Sequence, residues 1–460
     1  MKFQSQKVAY YFFATCMLLL SLQLVYGFIM AFAHMGYDVL HNVIPFNTAR
    51  TTHTNLLVVW LLTGFMGAAY YIIPEESGRE LYNVKLAYVQ LAALVIVGVV
   101  AIIGFHVNWW EGRKFLEIPR PLDYLVVVDV LLFMFNIGMT IWLGKRHTTT
   151  AIVLFFGLLM AALLYLPGMI DTDNQTLDSY WRWWVVHLWV EGFFEVFATV
   201  IFAFLFARLG LLEPRSTERA VVMSSTIFLS GGIIGTLHHL YFSASPAMIM
   251  ALGSVFSALE VVPLVFIGYE AWEHLRLSRH RSWVQKYRYP IYFFVAVAFW
   301  NMVGAGLFGF MINPPIALYY MQGLNTTPVH GHTALFGVYG MLGIGLMLFC
   351  LRGLSPLGAW SDRLLGATFW LLNVGLAMMV FISLVPAGIY QAWASVAHGL
   401  WFARSAEVVH SGFMETLVWL RVPGDVVFAL GTLTLAWFAL RLLSGSRLDV
   451  EQNPSKLQRA

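Results

Sequence analysis

Long apolar stretches alternate along the chain with short polar breaks. A helix that crosses the hydrocarbon core of a bilayer needs about 20 apolar residues. Twelve stretches meet that requirement, at approximately 8–33, 53–75, 84–108, 121–144, 149–168, 182–208, 218–243, 249–273, 289–312, 328–351, 362–388 and 422–443. Each predicts a spanning helix. Together they predict an all-α, polytopic membrane protein with twelve transmembrane helices in a single domain over residues 1–460. An even number of crossings returns both termini to one side.

Composition agrees with that pattern. The chain is 59% hydrophobic and only 11% charged, far from the balance of a soluble domain. Lys and Arg decide the orientation, because cytoplasmic loops collect them. With the N-terminus inside, only Arg50, Arg113, Lys114, Arg120, Arg182, Arg404 and Arg421 of the 27 fall on outer segments. Both termini are therefore expected in the cytoplasm. A net charge of +3 gives no reason to expect nucleic acid as a partner; the expected surroundings are a lipid bilayer. Cys16 and Cys350 each sit inside an apolar run and read as buried thiols. No Cys-x-x-Cys-His is present, so the chain carries no covalently attached c-type haem. Residues 389–420 read as a long outer connection in which Trp393 and Trp401 mark an interfacial amphipathic helix. The cluster Gly231-Gly232-x-x-Gly235 reads as close helix packing.

The chemistry is concentrated in histidine. Of 14 histidines, eight lie in loops or near helix ends and read as ordinary residues. The other six are His53, His187, His238, His239, His330 and His332. They fall on four different predicted helices, all near their outer ends. Ionisable groups at membrane depth are costly and usually mark function. His187 and Glu191 are four apart and share a helix face. His238 and His239 are about 100° apart on a helix, so both can reach a metal lying between them. Three imidazoles alone suit copper. An added carboxylate tilts the choice to non-haem iron, and zinc fits the donor types but does no redox chemistry. His330 and His332, two apart, point roughly 200° away from each other and so serve two different groups. His53 and His332 suit the two sides of one haem, and His330 suits a second haem with an open position toward the metal. Glu260 lies inside the eighth predicted helix, and Glu195 follows Glu191 by one turn. Buried carboxylates of this kind carry protons or stay protonated.

The stretches His53-Thr-Asn-Leu-Leu-Val-Val-Trp60, Trp184-Val-Val-His187-Leu-Trp-Val-Glu191-Gly192, Gly235-Thr-Leu-His238-His239, Gly253-Ser-Val-Phe-Ser-Ala-Leu-Glu260 and His330-Gly-His332 resemble the haem-copper oxidase superfamily. Within it they are most similar to the catalytic large subunit of bacterial cytochrome c-dependent nitric oxide reductase. That resemblance implies a low-spin haem b on His53 and His332, and a high-spin haem b on His330. It implies a non-haem iron on His187, His238, His239 and Glu191, with Glu260 beside it assisting charge balance and protonation. It implies reduction of two NO to N2O and water, in the bacterial inner (cytoplasmic) membrane. A membrane-anchored cytochrome c subunit would dock on the outer face and supply electrons. In the main oxygen-reducing branch, a Tyr joined covalently to a His occupies the position of Glu191. The inner half of the chain also shows no obvious polar series for protons. Both features favour NO chemistry over the alternative, a terminal oxygen reductase of the divergent branch. A transporter using intramembrane histidines as proton switches is the competing reading from another class.

One loop departs from the family. It reads Glu111-Gly112-Arg113-Lys114-Phe-Leu-Glu117, where the resemblance implies a carboxylate at position 114 that ligates a calcium ion bridging haem propionates. A lysine cannot ligate calcium. The expectation is that the Lys114 ammonium pairs with the propionates directly, with Glu111 and Glu117 left as candidate calcium or proton-path residues.

Overall fold

A computed structural model describes residues 2–197, 200–201, 222, 225–226, 230–259, 286–354 and 360–445. Among the described residues every regular element is helical, and nine helices are long and apolar enough to cross a membrane. In chain order these are α1 (Gln4–His34), α2 (Phe46–Ser77), α3 (Val84–His106), α4 (Arg120–Trp142) and α5 (Thr149–Met169). After them come α6 (Arg288–Ile312), α7 (Thr326–Leu354), α8 (Asp362–His398) and α9 (Gly412–Leu442). Each corresponds to one expected crossing. The remaining three, at 182–208, 218–243 and 249–273, run into residues outside the described ones. Their described parts include a helix over Gln175–His187 continuing as a π-helix over Leu188–Phe194, a 3-10 turn over Thr236–Leu240, and a helix over Ala247–Leu259.

The polar breaks start helices as well as ending them. Asn83, Thr148, Asn174 and Ser361 each occupy an N-cap, and each side-chain oxygen accepts a backbone N–H three residues on. Such caps satisfy donors that the helix itself leaves unpaired. Polar residues also hide two helix extensions from a hydropathy reading. The second helix begins at Phe46 rather than 53, because Thr51 and Thr52 are fully buried and Thr52 bonds back to the Thr48 carbonyl. The helix expected to end at 388 runs on to His398. Gln391 and Ser395, the polar residues there, turn inward: Gln391 accepts from Asn325, and Ser395 donates to the Tyr320 carbonyl. The outer connection is therefore shorter than 389–420, and exposed Trp393 belongs to α8 itself.

Two helices are central. In α2 and α7, 78% and 89% of the most apolar window is buried, against 50% or less in the other seven. These two carry His53, His330 and His332. Cys16 and Cys350 are free and buried, as expected.

The polar contacts sort by end. At one end, Glu80 accepts from the Gln4 and Ser5 amides, the Lys145 amide donates to the Ser77 carbonyl, and Arg288 pairs with Asp362. At the other, Arg50 pairs with Glu117, Arg113 with Asp178, and the Tyr241 hydroxyl donates to the Pro315 carbonyl. Every ion pair between described residues stays within one of these ends. Among the described residues these contacts keep the two sets of loops apart. The first end does hold a polar seam that the sequence hides. Gln90 donates to Asp129 at 2.7 Å, and Asn136, two turns further along α4, bonds both the amide and carbonyl of Asn83. These side chains join α3 and α4, and the Tyr70 hydroxyl of α2 donates to Gln90 at 3.5 Å, in the way polar residues join membrane helices.

Candidate metal centre

The six histidines fall into two groups with different surroundings. His187 ends its α-helix at the point where π-bonding begins. His238 and His239 sit in the 3-10 turn Thr236–Leu240. The helix changes character at both places, and π segments concentrate at functional sites. One nitrogen from each of the three rings lies within 4.8 Å of the other two. His187 Nδ1 and His239 Nε2 are 3.1 Å apart, and the ring centroids of His238 and His239 are separated by 3.9 Å. His187 and His238 are buried. His238 Nδ1 is itself buried and makes no hydrogen bond.

Glycines admit these rings. A Cβ on Gly253 would fall 2.4 Å from the His238 amide nitrogen, an impossible contact with backbone. A Cβ on Gly235 would stand 3.1 Å from His187 Nε2. Of the glycine cluster before His238, Gly235 thus does pack closely, against the His187 ring. Trp183, one turn before His187, stacks on His239 at 4.2 Å with the rings 6° from parallel. Its i−4 spacing from His187 was a signal the sequence reading did not use.

The other three histidines stand apart, and each is tethered. His53 Nδ1 lies 3.0 Å from the Gln23 carbonyl, His330 Nδ1 3.0 Å from Gly304, and His332 Nδ1 2.8 Å from Pro328. A carbonyl only accepts, so each Nδ1 carries the proton. Each Nε2 is left with its lone pair, the arrangement a metal ligand needs. Glycine again borders the rings: Gly27 faces His53 and Gly309 faces His330. His330 is within Coulombic reach of His238 and His239, and His332 within reach of His53. The electrostatic neighbours of His330 and His332 thus differ.

Three neutral imidazole nitrogens converging in a buried pocket fit a borderline transition metal. The three tethered imidazoles fit axial positions on haem. Glu191 falls in the π segment, and Glu260 lies outside the described residues. Glu195 is buried and accepts from the Tyr339 hydroxyl at 2.7 Å.

A membrane-embedded helical bundle with such a site defines the class of haem- and metal-dependent respiratory oxidoreductases. The chain belongs to the family Cytochrome C and Quinol oxidase polypeptide I, which it matches over residues 7–427. More particularly, it is a homologue of the nitric oxide reductase B-chain polypeptide of Stutzerimonas stutzeri, 32% identical over 455 residues, or 94% of each chain. A cbb3-type cytochrome c oxidase subunit from the same organism is 22% identical over 87% of each chain. Cytochrome c oxidase subunit 1 of Rhodobacter capsulatus is 23% identical over 90% of this chain and 80% of its own. In fold, the chain is similar to a heme-copper terminal oxidase dimer solved by cryo-EM, with a TM-score of 0.73 at 15% identity, covering 98% of this chain and 85% of that one. The protein is an oxidoreductase of the nitric oxide reductase type, and its family implies haem and metal cofactors.

Proposed function

We propose that this chain is the catalytic subunit in which two NO are reduced to N2O and water, with two electrons and two protons. The observation that carries the reading is the convergent His187/His238/His239 triad, two of its rings buried, with the tethered His330 in Coulombic reach. In this reading His187, His238, His239 and Glu191 hold a non-haem iron, His330 holds a high-spin haem b, and His53 with His332 hold a low-spin haem b. The paired iron centres, when bound, supply the redox equivalents and the positive charge that stabilises the N–N-bonded product of coupling.

The protein's own groups do the rest. The Nδ1 tethers of His53, His330 and His332 fix ring orientation and keep each Nε2 basic. Trp183 holds the His239 ring from its far face. Burial of His187 and His238 strengthens the charge interactions around them. Glu191 completes the iron's ligand set. Glu260 completes the charge balance beside it and passes protons.

The reading extends to the whole molecule. One domain over 1–460 crosses the bacterial inner membrane twelve times, with both termini in the cytoplasm. The nine described spans and the sorting of polar contacts by end support this. Since the chain has no c-haem motif, a membrane-anchored cytochrome c subunit docks on the outer face and delivers electrons. Relatives that are cytochrome c oxidase subunits keep a second reading open, reduction of oxygen with copper at the triad. The test is turnover of the purified complex with a reduced cytochrome c. NO consumption with one N2O formed per two NO is expected. Oxygen consumption with no N2O would overturn the proposal.

A further inference from the structure

The outer loop between α3 and α4 gathers charge in an uneven way. Glu117 is 1% exposed, and both its oxygens are taken: Oε1 by Arg50 at 3.2 Å, Oε2 by Asn55 at 3.1 Å. Glu111 is equally occupied, by the backbone amide and the guanidinium of Arg120. The third candidate position is Lys114, whose ammonium lies 4.9 Å from the Phe115 ring. Calcium takes six to eight oxygen ligands. Two carboxylates whose every oxygen already meets a donor, flanking a lysine that repels a cation, make a poor calcium site, so the calcium expected from the family does not fit this chain.

What the loop does offer is positive. Partial burial and then the Arg50 and Arg182 guanidiniums lower the Lys114 pKa, with Glu117 opposing. Three cations thus surround one carboxylate. Arg50 Nη1 and Arg182 Nε are buried donors with no partner. A buried donor left unpaired costs about 1–3 kcal/mol, so an anion belongs there. Its place is defined: Arg50 lies one turn outward of His53, and Arg182 lies over Trp183 and within Coulombic reach of His239.

We propose that Arg50, Lys114 and Arg182 form a metal-free clamp for the carboxylates of the haems, with Lys114 supplying the charge that a divalent cation would otherwise bring. This rests on the haem assignments proposed above. The guanidiniums form charge-assisted bonds to the carboxylates. Lys114 is a positioning residue that acts on the haems through their side chains.

The test uses the purified holoenzyme dialysed against a calcium chelator. Calcium is measured by elemental analysis, and the low-spin haem is titrated potentiometrically. Wild type should hold far less than one calcium per chain, with its spectrum and midpoint potential unmoved by chelator or by added calcium. Lys114→Met should lower the midpoint potential, since a cation near the haem disfavours the oxidised state. Lys114→Arg should keep it near wild type. About one calcium per chain surviving dialysis, or Lys114→Met with an unchanged potential, would overturn the clamp. Should Lys114→Met fail to hold haem, the wild-type calcium content decides alone. A protein without haem would refute the functional reading instead, which keeps the two failures distinct.

Discussion

The histidine triad and the three single histidines use the same side chain for opposite ends. In the triad, imidazoles face one another: His187 and His239 nitrogens meet at 3.1 Å, and His238 keeps a buried Nδ1 with no hydrogen bond. A shared cation would take a lone pair from each of the three rings. The singles are each committed to a backbone carbonyl through Nδ1 and present one Nε2 outward. They suit separate planar cofactors. Local backbone does not follow the same division: His238 and His239 stand on a 3-10 turn and His187 ends an α-helix, while His53 and His330 lie in α-helix and His332 opens a π-helix.

The largest expected effects break one group and spare the other. His238→Ala should remove the non-haem iron and turnover while leaving the low-spin haem spectrum nearly unchanged. The loss of turnover should exceed the roughly 10–100-fold cost typical of losing a residue that only orients a metal ligand. His332→Ala should do the reverse, abolishing the low-spin haem bands while non-haem iron stays bound. If either variant removed both signals, the division into two groups would be wrong.

A glycine variant gives a smaller effect. Gly253→Ala places a Cβ 2.4 Å from the His238 amide and forces the Ala247–Leu259 helix away from the triad. Overpacking of this kind costs about 1–3 kcal/mol. A lowered thermal midpoint with reduced iron content is the expected result, and full iron at wild-type stability would argue against the contact. The smallest effect belongs to Trp183→Phe, which thins the stack on His239. Iron should stay bound and turnover should fall by less than about 10-fold, since stacking contributes about 0.5–1.5 kcal/mol.

Much of this was legible in the sequence, for definite reasons. Apolar run length predicted all nine described spans, because a bilayer sets a fixed length. The i and i+2 spacing of His330 and His332 predicts partners on opposite sides, and their electrostatic neighbours do differ, His238 and His239 for the first and His53 for the second. What stayed hidden depends on contacts between distant segments. The Gln23 carbonyl that holds His53 comes from α1, thirty residues earlier. Gln391 ends an apolar run yet is buried, because Asn325 of another segment supplies its partner. The Gln90–Asp129 seam pairs residues on different helices, so neither reads as part of a polar series alone. The loop carrying Lys114 announced its departure from the family, but the donors bound to Glu111 and Glu117 needed coordinates. Glu260 lies outside the described residues, and its role rests on the proposal above.

Metal and haem analysis of the purified complex tests the central claim most directly. The account predicts two non-covalent b-type haems in this chain together with one further iron atom that extraction of haem leaves behind, and no copper. Copper in place of that iron, or a protein with no Soret absorption, would contradict it.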